Sequence, residues 1–249
     1  MSFTDQFSDR SPQYARARPD YPAALFSALA TLSPGRELAW DAGTGNGQAA
    51  VGLARHFTRV LATDPSAAQL AEARAEPRIS YRQARDGDSG LAGRSADLIT
   101  VAQAAHWFDL DAFYQEALRV LRPGGVLALW CYGLCRITPE IDAVIERFYT
   151  ETIGPWWPPE RRHVEAGYHT LSFPLAESAF PQSDMQHRWT LTQLIDYVGT
   201  WSAVAANRNQ GGTDPLPALT EALRPLWGRP DARRMIRWPL HGRLGRLER

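Results

Sequence analysis

Lysine is absent from this chain of 249 residues, so all 27 of its basic residues are arginine. This absence excludes chemistry that depends on a lysine side chain, such as Schiff-base formation or phosphate binding by a P-loop lysine. Acidic residues also number 27, and the formal net charge is therefore zero. Because nucleic-acid binders usually carry excess positive charge, we expect no nucleic-acid partner.

Long apolar runs and cysteines are also scarce. No stretch of 18 or more apolar residues occurs, and the polar N-terminal segment lacks the apolar core of a signal peptide. Cys131 and Cys135 are the only cysteines, too few for a disulfide framework. The six histidines show no metal-ligand spacing such as H-E-x-x-H, so we expect no metal site. Together these absences predict a cytoplasmic protein without a membrane partner.

Short apolar segments alternate with helical patterns over the first half of the chain. Strands are predicted at 37–40, 59–64, 78–84, 96–104 and 126–133, and helices at 22–32, 46–57, 66–76 and 110–121. Such alternation favours a parallel sheet with both faces covered. After Gly133 the pattern indicates helices broken by an aromatic, proline-rich loop, with further strands at 185–192 and 233–244.

Three glycines, Gly43, Gly45 and Gly47, lie between the first predicted strand and the next helix. Glycines in this context permit a tight turn and let a ligand approach the backbone. The spacing is G-x-G-x-G, whereas the dinucleotide fingerprint would place its third small residue at position 48, which is Gln. The loop therefore predicts a nucleotide cofactor, with NAD as a disfavoured choice.

Two carboxylates flank this loop. Asp64 ends the second predicted strand, where a carboxylate can accept hydrogen bonds from both ribose hydroxyls; the alternative is a cap for the following helix. Asp41 precedes the loop without an evident structural role. An acid there suits a positively charged cofactor better than a pyrophosphate.

Four ordered motifs carry a family resemblance: WDAGTGNGQ, LATDPSAAQL, ADLITVAQAAHWFD and FYQEALRVLRPGGVLALW. They resemble those of class I S-adenosylmethionine-dependent methyltransferases, of the small-molecule type that includes trans-aconitate methyltransferase-like proteins. The resemblance implies an α/β fold with a Rossmann-like, mostly parallel seven-stranded sheet, helices on both faces, and a helical insertion after the fifth strand. Within one domain it implies an N-terminal cover (1–35), a cofactor-binding core (36–133), a helical insertion or lid (134–182) and C-terminal strands and helices (183–249).

The resemblance also implies the cofactor, S-adenosylmethionine, and the residues that contact it. These are Tyr14, Arg18, Asp41, Gly43, Thr44, Gly45, Asp64, Pro65, Ala84, Asp86, Ala102 and Gln103. Arg85 stands where the family usually has glutamate, so no contact is assigned to it. For Tyr14 and Arg18, packing of the cover is the alternative role.

Residues for the methyl acceptor are predicted at two places. His106 follows the fourth strand and is a candidate general base, with a hydrogen-bonded wall residue as the alternative; Trp107 is expected to line the pocket. In the loop GPWWPPERR, Trp156 and Trp157 offer apolar surface, and Arg161 with Arg162 could bind a carboxylate. The alternative for this loop is packing on the core of the insertion.

The sequence thus predicts methyl transfer to a small molecule, at a carboxylate or hydroxyl oxygen. The N-methyltransferase motif Asn/Asp-Pro-Pro-Tyr is absent after the fourth strand, which disfavours nucleobase and glutamine amides. The alternatives are a methyltransferase of RNA or protein, and a binding module that retains the cofactor without turnover.

Overall fold

Five parallel strands form the centre of the molecule. The structure is a computed structural model that describes residues 18–248. The strands follow the order β3-β2-β1-β4-β5, and each neighbouring pair is parallel. Their bounds are Leu38–Ala42 (β1), Arg59–Asp64 (β2), Ile79–Gln83 (β3), Ala96–Ala102 (β4) and Leu121–Tyr132 (β5). The reversal of strand order between β1 and β4 creates the crevice where open α/β sheets bind ligands.

Antiparallel strands extend the sheet beyond β5. They are Glu177–Ser178 (β6), Asp184–Trp189 (β7) and Arg234–Arg246 (β8). The second half of β8 pairs with β5 and the first half with β7, while β6 pairs with the end of β8. The two-residue strand β6 was not predicted, so residues 18–248 contain eight strands where seven were predicted. The Rossmann-like α/β class is confirmed.

Helices cover both faces of the sheet. Before β5 they are Ala23–Leu32 (α1), Gln48–Ala54 (α2), Ala67–Ala71 (α3) and Leu110–Val120 (α4). After β5 they are Pro139–Arg147 (α5), Arg161–Glu165 (α6), Leu191–Gly199 (α7), Ser202–Asn209 (α8) and Leu216–Trp227 (α9). Short 3-10 helices occupy Ala105–Trp107 and Gly154–Trp156, and a π-helical turn covers Phe148–Thr152.

Alternation along β5 divides the core into two layers. Ala128 and Trp130 belong to one buried cluster, and Leu127, Leu129 and Cys131 belong to the other. A strand with both faces buried is apolar at nearly every position, as the sequence of β5 indicates. The second face is therefore a packed layer rather than a solvated surface.

Side-chain caps explain where several helices begin. Asp109 accepts the N–H of Ala112 at the start of α4, and Thr138 accepts that of Ile141 at the start of α5. Thr190 and Gln193 form a capping box at α7. This box ends β7 at Trp189, so the predicted strand at 185–192 is three residues too long at its C-terminal end.

The helix predicted at 66–76 is also too long, since α3 ends at Ala71. Residues 72–76 supply no large apolar side chain to bury, and Pro77 follows. Short helices depend on packing for their stability, so the pattern stops being helical where the apolar face stops. Among the helices of the described residues, none has the length and apolar character required to cross a bilayer.

Candidate active site

The glycine loop joins β1 to α2 in a left-handed backbone conformation. The φ angles of Gly43, Gly45 and Gly47 are 66°, 56° and 82°. A Cβ atom on Gly43 would lie 2.8 Å from Cβ of Ala104 and 2.9 Å from the Phe108 ring. Gly43 is thus required both by its conformation and by the close approach of the segment after β4.

Asp41, at the end of β1, lies beneath this loop and is fully buried. Its carboxylate accepts hydrogen bonds from Oγ1 of Thr44 at 2.6 Å and from Oγ1 of Thr100 at 2.7 Å. Burial raises its pKa to about 6, against the lowering effect of these two hydroxyls. The expectation that Asp41 has no structural role is wrong, because it ties the loop to β4; its contact with cofactor stays a prediction.

Asp64, at the end of β2, is also engaged by backbone groups. Its Oδ2 accepts the N–H of Gly45 and its Oδ1 the N–H of Ser66, both at 2.8 Å. Ser66 then caps α3. Asp64 therefore shapes both the glycine loop and the start of the following helix.

The end of β3 lies beside the end of β2. The Ala84 N–H donates to the Asp64 carbonyl, and the Gln83 side chain donates to the Pro65 carbonyl at 2.9 Å. Asp86 accepts the N–H of Asp109 at 2.6 Å, close to the start of α4. The sites predicted on β2 and β3 thus meet at one edge of the sheet.

The end of β4 is held by β5. The backbone of Gln103 is left-handed, with φ 57°, directly after Ala102. Its side-chain amide exchanges two hydrogen bonds with the backbone of Tyr132, at 2.8 and 3.1 Å. This pairing turns the chain from β4 into the segment that carries His106 and Trp107.

These observations test whether the residues fit an adenosyl cofactor. Gly43, Gly45 and Gly47 bear no Cβ at the edge where β1 ends, and a Cβ on Gly45 would find its nearest neighbour 3.7 Å away. Carboxylate acceptors suited to hydroxyl donors lie at the next strand end. The donor set and the space at this edge fit a nucleoside, with Asp64 as the ribose acceptor.

A cleft adjoins this edge, at the ends of β4 and β5. Its lining residues are Arg18, Gln103, His106, Trp107, Tyr132, Gly133, Trp157, Pro158, Arg161, Tyr197, Trp201 and Ser202. The structure thus brings together four predicted acceptor residues and two predicted cofactor residues. Aromatic walls with a few polar groups are typical of small-molecule sites.

His106 lies in this cleft, with Nδ1 3.0 Å from the hydroxyl of Tyr168. Burial, and to a smaller extent the nearby charge of Arg161, lowers the pKa of His106 to about 3. The desolvated ring therefore favours its uncharged form. It is neutral at physiological pH.

Arg161 is held by aromatic groups. Its Nε donates to the Tyr149 hydroxyl at 2.7 Å, and its guanidinium lies 4.6 Å from the centre of the Trp157 ring. The Tyr149 hydroxyl donates in turn to Glu165. This arrangement positions a cation in the cleft through cation–π contact rather than through an ion pair.

Trp156 was predicted to bind the acceptor, but the structure places it outside the lining of this cleft. With the Asn207 amide oxygen facing it, the Trp156 indole N–H donates to Asn207 on α8 at 3.2 Å. A one-residue step in the loop sends consecutive tryptophans in different directions. Arg162 also lies outside the cleft, and its side chain is exposed.

The N-terminal cover is described only from residue 18. Arg18 donates to the Tyr132 hydroxyl at 2.9 Å, and its guanidinium lies 5.4 Å from the centre of the Tyr197 ring. Tyr14 lies outside the described residues. The predicted contacts of both with cofactor stay predictions.

Sequence reasoning missed several lining residues. Tyr132 is the last residue of β5, and its place at the carboxyl end of a parallel strand is a signal that could have found it. Tyr197 and Trp201 gave no such signal, because aromatic residues four positions apart usually indicate helix core. Within residues 18–248, no group of three or more His, Cys, Asp or Glu side chains is placed to hold a metal.

Known proteins resemble this chain in sequence and in structure. A family model described as "Methyltransferase domain" matches residues 40–129. A Dictyostelium discoideum protein named "Putative methyltransferase" is 37% identical over 225 residues, 89% of this chain and 86% of that protein. An "Uncharacterized methyltransferase" of Mycobacterium tuberculosis is 36% identical over 211 residues, 84% of this chain and 82% of that protein.

A solved structure from Anaeromyxobacter dehalogenans, titled as a "Putative Type II Methyltransferase", is 47% identical. It superposes with a TM-score of 0.88 and covers 93% of this chain and 99% of that one. Identity at this level over nearly the whole length shows family as well as fold. The chain belongs to the class I S-adenosylmethionine-dependent methyltransferases, and S-adenosylmethionine is its cofactor.

Proposed function

We propose that the protein methylates a carboxylate oxygen of a small anionic molecule bound in the His106 cleft. The observation that carries the proposal is Arg161, a cation that lines the cleft. Among residues 18–248, it has no carboxylate within ion-pair distance. An arginine with no carboxylate in direct contact, fixed over an aromatic ring, favours an anionic ligand.

The chemistry of the cleft favours an acceptor that is already ionised. The cofactor supplies a sulfonium methyl group, so the acceptor oxygen forms the new C–O bond while the electron pair of the broken C–S bond remains on sulfur. A carboxylate is ionised at neutral pH and loses no proton in this step, which yields a methyl ester and S-adenosylhomocysteine. The protein then has to position the oxyanion in line and exclude water.

A hydroxyl acceptor would need a general base, and the cleft supports this alternative less well. His106 is neutral, but its Nδ1 is already engaged by Tyr168. No other histidine lines the cleft. A carboxylate acceptor therefore requires fewer catalytic groups from the cleft than a hydroxyl acceptor does.

Two segments are proposed to close over the acceptor. Residues 134–182 contribute Trp157, Pro158 and Arg161 to the cleft, and Arg18 belongs to the N-terminal cover of residues 1–35. These contributions from outside the 36–133 core support a lid on the site.

Cys131 and Cys135 are both free and buried, in keeping with the proposed cytoplasmic location.

A panel of acceptors tests this function. Small carboxylic acids, each paired with its primary amide and its alcohol, are incubated with protein and S-adenosylmethionine, and S-adenosylhomocysteine is measured by mass spectrometry. The proposal expects turnover of acids only. Turnover of the paired alcohols or amides, or of none of the acids by protein that binds S-adenosylhomocysteine, would overturn it.

A further inference from the structure

Tyr168 is a buried residue that the family resemblance does not assign. It follows α6 and has φ 69°, a conformation that a bulky side chain rarely adopts. Its backbone N–H donates to the carbonyl of His163 at 2.8 Å, and its ring is fully buried. The surrounding structure therefore holds this tyrosine in an unfavourable backbone conformation with its hydroxyl on His106.

The hydrogen bond of the Tyr168 hydroxyl determines where its proton lies. Among the described residues, the Tyr168 hydroxyl has one hydrogen-bond partner, Nδ1 of His106. A phenol oxygen has one proton to give, and Nδ1 of His106 is 3.0 Å away. If Nδ1 carried a proton instead, it would donate to the phenol oxygen, and the buried phenol proton would have no acceptor among the described residues.

Burial of both rings keeps this arrangement over a wide pH range. It raises the pKa of Tyr168 well above 10, so the hydroxyl stays protonated. It lowers the pKa of His106 to about 3, so the imidazole stays neutral. A neutral imidazole whose Nδ1 accepts a hydrogen bond carries its proton on Nε2.

We infer that Tyr168 is a positioning residue that fixes His106 as an Nε2–H donor, which binds the acceptor's oxyanion and removes no proton. His106 then acts with Arg161, which lines the same cleft. The part that concerns the acceptor rests on the proposed function, whereas the tautomer does not. A cleft with two donors and no accepting imidazole nitrogen selects anionic acceptors over neutral alcohols.

The tautomer is tested first, on the full chain without any acceptor. Two-bond ¹⁵N correlation spectra of the histidine rings are recorded from about pH 5 to 8, with His106→Gln used to assign the His106 signals. We expect a pyridine-like Nδ1 and a pyrrole-like Nε2 that do not titrate. A protonated Nδ1, or a ring that becomes cationic near pH 6.5, would overturn the inference.

The role of Tyr168 is tested in the same spectra. Tyr168→Phe removes only the hydroxyl and should populate the second tautomer. The matched control is Tyr114→Phe, since the Tyr114 hydroxyl donates to the Ser172 carbonyl at 2.7 Å, away from His106. Unchanged His106 signals in folded Tyr168→Phe would contradict a positioning role.

Kinetics separate a donor from a base, once the acceptor panel has supplied a substrate. A glutamine amide can place an N–H near the position of Nε2, so His106→Gln should keep KM within about tenfold of wild type. His106→Ala should raise KM by about 10- to 150-fold, the loss of one hydrogen bond to a charged group. Equal losses of about 10²–10⁴-fold in kcat for both variants would show a base.

Failure of the two proposals is distinguishable. If spectra show the Nε2–H tautomer but no acid is methylated, the inference about His106 and Tyr168 survives and the carboxylate acceptor fails. If acids are methylated by a protein whose His106 is protonated on Nδ1, the reverse holds.

Discussion

The carboxylate of Asp64 accepts the backbone N–H of Gly45 at 2.8 Å, which ties the end of β2 to the glycine loop after β1. The same side chain accepts the N–H of Ser66. A residue expected to bind ribose thus also organises the backbone on both sides of the ribose site. Its substitution should affect both ligand binding and folding.

Asp64→Ala should weaken the binding of S-adenosylmethionine and S-adenosylhomocysteine by at least about tenfold, since hydrogen bonds to a charged acceptor are worth about 1.5–3 kcal/mol each. Calorimetry measures the affinities. The charge control is Asp231→Ala, because Asp231 is exposed and, within residues 18–248, forms an ion pair only with exposed Arg229. Wild-type affinity in folded Asp64→Ala would remove Asp64 from the cofactor site.

Arg161→Ala should raise the KM of the anionic acceptor by about tenfold or more and leave cofactor affinity unchanged, because its guanidinium lines the acceptor cleft. Arg162→Ala is the neighbouring control, as Arg162 is exposed. Steady-state kinetics with each variant checks this. Equal effects of the two substitutions would show that Arg161 acts through general charge rather than through contact.

Asp41 should make folding stability depend on pH. Its folded pKa of about 6 lies above its ordinary value of 3.8, so the folded state binds the proton more tightly. This contribution is present at low pH and is lost as pH rises from about 4 to 6, with a limit of about 3 kcal/mol. Urea titrations of wild type and Asp41→Asn at several pH values compare the two.

In Asp41→Asn that pH-dependent loss should disappear, so the variant gains stability relative to wild type as pH rises. If the difference in unfolding free energy between the two proteins is constant from pH 4 to 7, burial does not raise the pKa of the Asp41 carboxyl group.

Gly43→Ala should destabilise the fold by about 2–4 kcal/mol, since its Cβ would overlap Ala104 and Phe108 at a left-handed φ. Gly133→Ala is the control, because a Cβ there meets nothing within 4 Å. Chemical denaturation checks the difference. Similar stability of the two variants would contradict the close approach between the glycine loop and the segment after β4.

Much of the fold followed from apolar periodicity. The five parallel strands were predicted within a few residues because β1, β4 and β5 are buried on both faces and therefore read as continuous apolar runs. The glycine loop was found because left-handed positions restrict residue type. The pairing of β8 with three different strands was not predictable, since a periodic pattern does not specify a partner.

Site residues were predictable only where functional side chains lie at the carboxyl ends of strands. Asp64 and His106 were predicted by that rule and Gln103 from the family resemblance, whereas Tyr168 was not predicted, because its contact with His106 joins residues 62 positions apart. The different directions of Trp156 and Trp157 depend on packing against α8. The lowered pKa of His106 arises from burial, which the local sequence does not encode.

The most direct test of methyl transfer to a carboxylate is the chemical nature of the product. Protein is incubated with methyl-labelled S-adenosylmethionine and the best acid of the panel, and the labelled product is treated with mild alkali. A methyl ester releases its label as methanol, and this account predicts such release. Label that survives alkali, as in a methyl ether or an N-methyl product, would contradict it.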